Sequence, residues 1–99
     1  MSSYYLTNQA KLDLSEIWNY TFDNWSESQA DKYYEMILDS CNKLASRPNS
    51  GKEYFIIHKD LLGYQAGKHI IFYRIMSDVQ VEITRILHQK MDFERHLKS

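Results

Sequence analysis

The stretch HIIFYRIMSDVQVEITRILH, from His69 to His88, decides the fold. Its first eight residues, His69 to Met76, are rich in β-branched and aromatic side chains and read as a strong strand. Ser77-Asp78 reads as a tight turn. Val79, Val81 and Ile83 then alternate with Gln80, Glu82 and Thr84, which gives a strand with one wet face. Arg85-Ile86-Leu87 breaks that alternation, so the strand is expected to continue with a change of register. The two strands are predicted to form an antiparallel hairpin. Upstream, Tyr54 to Ile57 reads as a short β-rich run, and Gly63 and Gly67 bracket a turn region.

The first half of the chain has a different period. Ser3 to Thr7 alternates as a first strand would, and Thr7 or Asn8 is a suitable N-cap. Ala10, Leu14, Ile17, Trp18, Thr21, Phe22 and Trp25 recur at helical spacing, with Lys11, Asp13, Glu16, Asn19 and Asp23 assigned to the opposite, polar side. Ser26 and Gln29 have the form of a capping box. They open a second stripe of Ala30, Tyr33, Tyr34, Ile37, Leu38, Cys41, Leu44 and Ala45, which stops before Pro48. Two amphipathic helices with almost no linker make an antiparallel hairpin. After the last strand, Asp92 can cap a short helix of Phe93 to Leu97. The expected fold is α+β: an N-terminal strand, then the antiparallel helical hairpin packed on a small, mainly antiparallel β-sheet, then a short C-terminal helix.

Ninety-nine residues point to a single domain, residues 1–99, with one two-layer core. The 43% hydrophobic and 25% charged fractions exclude disorder. There is no signal-peptide pattern, and no apolar run approaches the roughly 20 residues that span a bilayer, so a cytoplasmic protein without membrane contact is expected. The lone cysteine, Cys41, lies on an apolar stripe and reads as a buried, inert thiol. A net charge of −1 argues against direct nucleic-acid binding. The charge is uneven: residues 1–46 carry three basic and seven acidic side chains, residues 47–99 nine and six. An anionic partner would meet the second half.

Several clusters of chemistry-bearing residues need weighing. His88, Asp92 and His96 stand four apart, but no further ligand completes a set, so no metal and no cofactor is expected. No nucleophile elbow or phosphate-binding glycine loop occurs. Metal-free RNA cleavage needs a base, an acid and cations for the phosphorane. Tyr73, Arg74, Arg85, His88 and Lys90 supply those types on adjacent strands. Tyr73 is equally explained as core, and the two arginines as carboxylate-paired residues. Eight Tyr and two Trp exceed what one small core absorbs, so Trp18, Trp25, Tyr4, Tyr5, Tyr33 and Tyr34 are candidates for a groove that holds a partner segment.

Taken together, the residues resemble a known family. The pattern runs Tyr5-Leu6-Thr7, Ala10, Asp13-Leu14, Ile17, Tyr20-Thr21, Trp25, Gln29-Ala30, Leu44-Ala45, Pro48 and Gly51. It resumes at His69, Ile71-Phe72-Tyr73-Arg74, Ile83, Arg85-Ile86-Leu87-His88, Met91-Asp92 and His96-Leu97. In this order it resembles the ParE branch of the RelE/ParE toxins of bacterial type II toxin–antitoxin systems. The resemblance implies a non-catalytic toxin that poisons DNA gyrase. It also implies a hetero-oligomer with a cognate, ParD-like antitoxin that carries a DNA-binding domain. Expected target contacts are Arg85, His88, Lys90, Met91, Asp92, Phe93 and His96, and expected antitoxin contacts are Trp18, Trp25, Tyr33, Tyr34, Tyr73 and Arg74. The RelE-like alternative is a ribosome-dependent mRNA endoribonuclease using Tyr73, Arg74, Arg85 and His88. A third reading follows from Leu61-Leu62, which stands where many relatives carry an Arg: a degenerate toxin kept only as an antitoxin-binding module.

Overall fold

The computed structural model describes residues 2–97. Strand β1 (Ser3–Leu6) leads into helices α1 (Asn8–Asn24) and α2 (Glu27–Ser46), and a 3-10 turn (Pro48–Ser50) follows. Strands β2 (Lys52–Glu53), β3 (Leu62–Ala66), β4 (His69–Ser77) and β5 (Gln80–His88) precede helix α3 (Phe93–Leu97). The strands form one sheet in the order β1-β5-β4-β3-β2. Only the β1–β5 edge pairing is parallel; the others are antiparallel. This is the architecture expected from periodicity.

Local chemistry explains the helix boundaries. The Thr7 hydroxyl accepts from the Ala10 N–H at 3.1 Å and donates to the Thr84 carbonyl at 2.7 Å, so one side chain caps α1 and ties it to β5. The Ser26 hydroxyl accepts from the Gln29 N–H at 3.1 Å and starts α2 two residues after α1 stops. Pro48, at the first position of the 3-10 turn, cannot continue the α-helix.

The sheet separates two apolar clusters. On one face Ala10, Leu14 and Ile17 of α1 and Ile37, Cys41 and Leu44 of α2 meet Ile71, Tyr73, Val81, Ile83 and Ile86. On the other face Ile70, Phe72 and Leu87 are covered by Leu61, Tyr54, Ile57, Phe93 and Leu97. Cys41 is fully buried and burial pushes its thiol up to about 12, so the thiol is inert, as expected.

Four expectations need correction. Tyr54 to Ile57 is not a strand: the strand is Lys52–Glu53, and Phe55 to Ile57 are in a turn whose backbone bonds run from Ile57 N–H and His58 N–H to the Tyr54 carbonyl. The Gly63–Gly67 region is largely strand β3. Only Gly67, at φ +62°, makes the turn, in the first central position of a two-residue hairpin loop. The tight turn before β5 falls at Asp78-Val79, because Ser77 pairs with Gln80; Val79 is half-exposed rather than part of the alternating strand. Asp13 does not lie on the polar side of α1 but is buried.

The buried Asp13 carboxylate organises the junction of α1 and β5. Oδ2 accepts from Arg85 Nε at 2.8 Å and from the Ile86 N–H at 3.0 Å, and Oδ1 accepts from Arg85 Nη2 at 2.9 Å. This bidentate bond to Asp13 holds the Arg85 guanidinium above its ordinary pKa. The expected register change is present: Phe72 pairs with Arg85 but Tyr73 with Ile83, so Thr84 is an extra residue in β5.

Removing the carboxylate leaves a partly buried guanidinium and a buried backbone donor without their acceptor. Asp13→Ala is expected to lower the free energy of unfolding by about 3 kcal/mol. Urea titration of the wild type, Asp13→Ala, Arg85→Met and the double variant checks this; an interaction energy near zero in that cycle refutes it.

Candidate functional site

The residues singled out in the sequence fall into three places. The first is the sheet face away from the helices, where Arg74 and Glu82 are cross-strand partners. Glu82 Oε1 accepts from Arg74 Nη2 at 3.1 Å and from the Thr84 hydroxyl at 3.2 Å, while Oε2 accepts from the Tyr5 hydroxyl at 2.8 Å. Burial raises the Glu82 carboxyl, but the bonds from Tyr5, Arg74 and Thr84 outweigh it and leave the group below its ordinary value. Arg74 is therefore carboxylate-paired, as is Arg85. Arg85 Nη1 also reaches the His96 carbonyl at 3.4 Å, tying α3 to the same group. A shallow cleft of about 430 Å³ opens here between Thr7, Gln9, Thr84, Arg85, His96 and Leu97.

The second place is the sheet end under α2, where His69 faces His88 across β4 and β5, ring centroids 5.2 Å apart. The Tyr33 hydroxyl accepts from the Lys68 N–H at 3.0 Å and lies 2.6 Å from His69 Nδ1. Burial, aided by His88, pushes His69 down to about 4. We assign it as neutral, with Nδ1 accepting the Tyr33 proton. His88 Nδ1 accepts from the Lys90 N–H at 3.1 Å, which shapes the turn into α3.

The third place is the distal end of the helical hairpin. Trp18 is half-buried, donates its indole N–H to Asp31 Oδ1 at 3.0 Å and stacks on Phe22 at 5.2 Å. Trp25, three residues beyond Phe22, is 74% exposed; Phe22 is exposed on the same side of α1 and Tyr20 on the other. Tyr34 is exposed on α2 and Tyr33 half-buried.

Tyr73 presents no surface. It is fully buried, its hydroxyl donating to the Pro48 carbonyl at 2.6 Å and accepting from the Gly51 N–H at 2.8 Å. Its expected contact with an antitoxin is therefore replaced by a latch that closes the 3-10 turn on the sheet. A Cβ at Gly51 would collide with that hydroxyl, which accounts for the glycine. The structure does not bring Tyr73, Arg74, Arg85 and His88 together. Tyr73 and His88 belong to the helix-covered face or its rim, whereas Arg74 lies on the other face and Arg85 turns at the strand edge to Asp13 of α1. Of the remaining target-contact candidates, Met91 is exposed, Phe93 packs edge-on to Phe72 at 5.0 Å, and Asp92 Oδ1 accepts from the Arg95 N–H at 3.2 Å as the α3 cap. Lys90 is exposed and His96 half-buried. No metal-binding cluster occurs among the described residues, and none of their helices is long and apolar enough to cross a membrane.

Sequence reasoning missed Asp13 and Glu82 as organising carboxylates. For Asp13 a signal existed: positions 10, 13, 14 and 17 share one helical face, so its spacing puts it among Ala10, Leu14 and Ile17.

His69 supplies a pH prediction. A folded value near 4 against an ordinary 6.5 means that the unfolded chain binds the proton first. The contribution of His69 to stability is complete above pH 6.5 and falls as pH drops from 6.5 to 4. Loss of the Glu82 contribution follows only below the ordinary carboxylate range. Thermal melts followed by circular dichroism should show the wild-type midpoint declining over that upper window, and His69→Gln should flatten the decline.

Comparison with known proteins agrees with the geometry. Residues 4–93 match the family described as the ParE toxin of the type II toxin–antitoxin system, parDE. The chain is 33% identical to Toxin ParE1 of Mycobacterium tuberculosis over 96 residues, 97% of this chain and 98% of that protein. It is 34% identical to Toxin ParE1 of Caulobacter vibrioides over 97 residues, 98% of this chain and 99% of that one. A solved structure titled "Chromosomal ParDE TA system from P. aeruginosa" superposes with a TM-score of 0.76 at 19% identity, covering 89% of this chain and 96% of that chain, and so shares its fold. The chain belongs to the ParE toxin family of type II toxin–antitoxin systems.

Proposed function

We propose that this toxin acts without catalytic turnover, by binding and poisoning DNA gyrase in the cytoplasm, and that a cognate ParD-like antitoxin silences it in a hetero-oligomer. One observation carries the non-catalytic reading: the acid–base and cationic residues do not converge on one point, and both strand arginines are held by carboxylates. General acid–base catalysis needs donor and acceptor within hydrogen-bond reach of one substrate, with cations on its phosphate. A net charge of −1 supports a protein target over ribosomal RNA.

The antitoxin surface is the aromatic end of the helical hairpin, with Trp18, Trp25 and Tyr34 as anchors and Tyr33 at its margin; Arg74, on the sheet face away from the helices, lies outside it. Trp25 is the principal anchor because most of its ring is available for burial. The target surface includes Lys90, Met91 and His96 around α3, with Asp92 and Phe93 holding the helix in place.

Inducing the chain in bacteria without its antitoxin, while following DNA breakage, plasmid topology and transcript integrity, tests the reading. Gyrase-trapped breaks with intact mRNA are expected, and transcripts should be as intact with the wild type as with His88→Ala. Cleaved transcripts with normal topology would overturn the proposal, and healthy cells containing soluble protein would mark a degenerate toxin. Trp25→Ala should weaken antitoxin binding by roughly 30-fold, the equivalent of about 2 kcal/mol at an aromatic hot spot, measured by calorimetry.

A further inference from the structure

The turn between β2 and β3 carries Phe55 and Ile56 at its tip, 49% and 92% exposed. An isoleucine almost wholly in water is not by itself unusual, but the turn that carries this one is anchored on both sides. Its neighbours Tyr54 and Ile57 are both sunk into the far-face cluster, Tyr54 edge-on to Phe72 at 5.1 Å and to Phe93 at 6.2 Å. Backbone bonds close the base, from Tyr54 N–H to the Leu61 carbonyl at 2.9 Å and from Leu61 N–H to the His58 carbonyl at 3.2 Å. Asp60 completes it in the left-handed region, at φ 62°. The fold thus presents two apolar side chains on a backbone that is already closed by hydrogen bonds, and an anchor on a fixed backbone loses less entropy on binding than one on a mobile loop.

We propose that Phe55-Ile56 is a finger that enters an apolar socket on the protein target of the toxin, on the face opposite the antitoxin surface. This rests on the target-binding reading above and extends it to residues outside α3. Three observations select a protein socket as the occupant. Lys52 and Lys59 around the finger are balanced by Glu53 and Asp60, so the rim lacks the basic excess that attracts anionic lipid or nucleic acid. Two side chains fall far short of the roughly 800 Å² that each partner buries in a stable interface, so the finger binds only as part of a larger contact surface. The finger is continuous with α3 through the contact of Tyr54 with Phe93, so one partner can cover both.

The test uses the full chain with Ile56→Asp, Phe55→Ser and, as a conservative control, Ile56→Leu. Because both side chains are exposed, unfolding midpoints should match the wild type. On induction, Ile56→Asp and Phe55→Ser are expected to lose at least tenfold in growth inhibition and Ile56→Leu to retain it. Antitoxin affinity should stay within about twofold, against the loss expected for Trp25→Ala. Wild-type toxicity in Ile56→Asp overturns the proposal, as does selective loss of antitoxin affinity or finger-dependent sedimentation with phosphatidylcholine–phosphatidylglycerol vesicles. If the wild type arrests growth with gyrase unaffected but Ile56→Asp still abolishes arrest, the finger stands and the gyrase reading falls. A wild type that does not arrest growth at all overturns both.

Discussion

The Asp13 carboxylate is the point on which the two layers depend. β1 pairs with β5 only as far as Leu6 and Ile83, so beyond that point the outer edge of β5 has no strand beside it. The Ile86 N–H, which such an edge leaves without an acceptor, donates instead to Asp13 from α1. Arg85 supplies the compensating charge, and its third nitrogen reaches the His96 carbonyl. One buried carboxylate thereby joins α1, β5 and α3. Removing a carboxylate from water costs several kcal/mol, and three well-aligned donors are what offset that cost. They also fix the rotation of α1, since Ala10, Leu14 and Ile17 reach the sheet only when Asp13 reaches Ile86.

The extra residue in β5 makes this arrangement possible. With strict alternation, Arg85 would follow Val81 and Ile83 onto the helix-covered face and Ile86 would point away. Thr84 resets the phase: Ile86 enters the helical core, Leu87 the opposite cluster, and Arg85 is freed to pair with Asp13 at the strand edge. The backbone disturbed at the bulge is not left unsatisfied. The Thr84 carbonyl accepts from the Thr7 hydroxyl, the same group that caps α1. The start of α1 and the irregularity in β5 are therefore one structural event.

Much of this was legible in the residues, and the failures have physical causes. The helical hairpin declared itself because its apolar positions repeat over many turns and both N-caps carry hydroxyl side chains, Thr7 and Ser26. The β4–β5 hairpin and its register change were legible because one face is buried, so that Arg85 breaks a visible alternation. The run Tyr54 to Ile57 misled because strand propensity records aromatic and branched side chains, whereas the chain here uses Tyr54 and Ile57 to anchor a turn. Charge alone assigns Asp13 to water, whereas its spacing places it with Ala10, Leu14 and Ile17 in the core. Of the site, the pairing of Arg74 and Arg85 with carboxylates was foreseeable as a type of contact. Which acid held which arginine required the three-dimensional register, because Asp13 and Arg85 lie 72 positions apart.

Those pairings also limit how the molecule can act. Arg74 and Arg85 each commit Nε and Nη2 to a carboxylate, and turning either toward a phosphate would strand Glu82 or Asp13 in a partly buried site. That loss is comparable to what a new phosphate contact returns, so the fold gains little by offering these cations to RNA. What it offers freely is apolar: Trp25 on the helical side and Ile56 on the other.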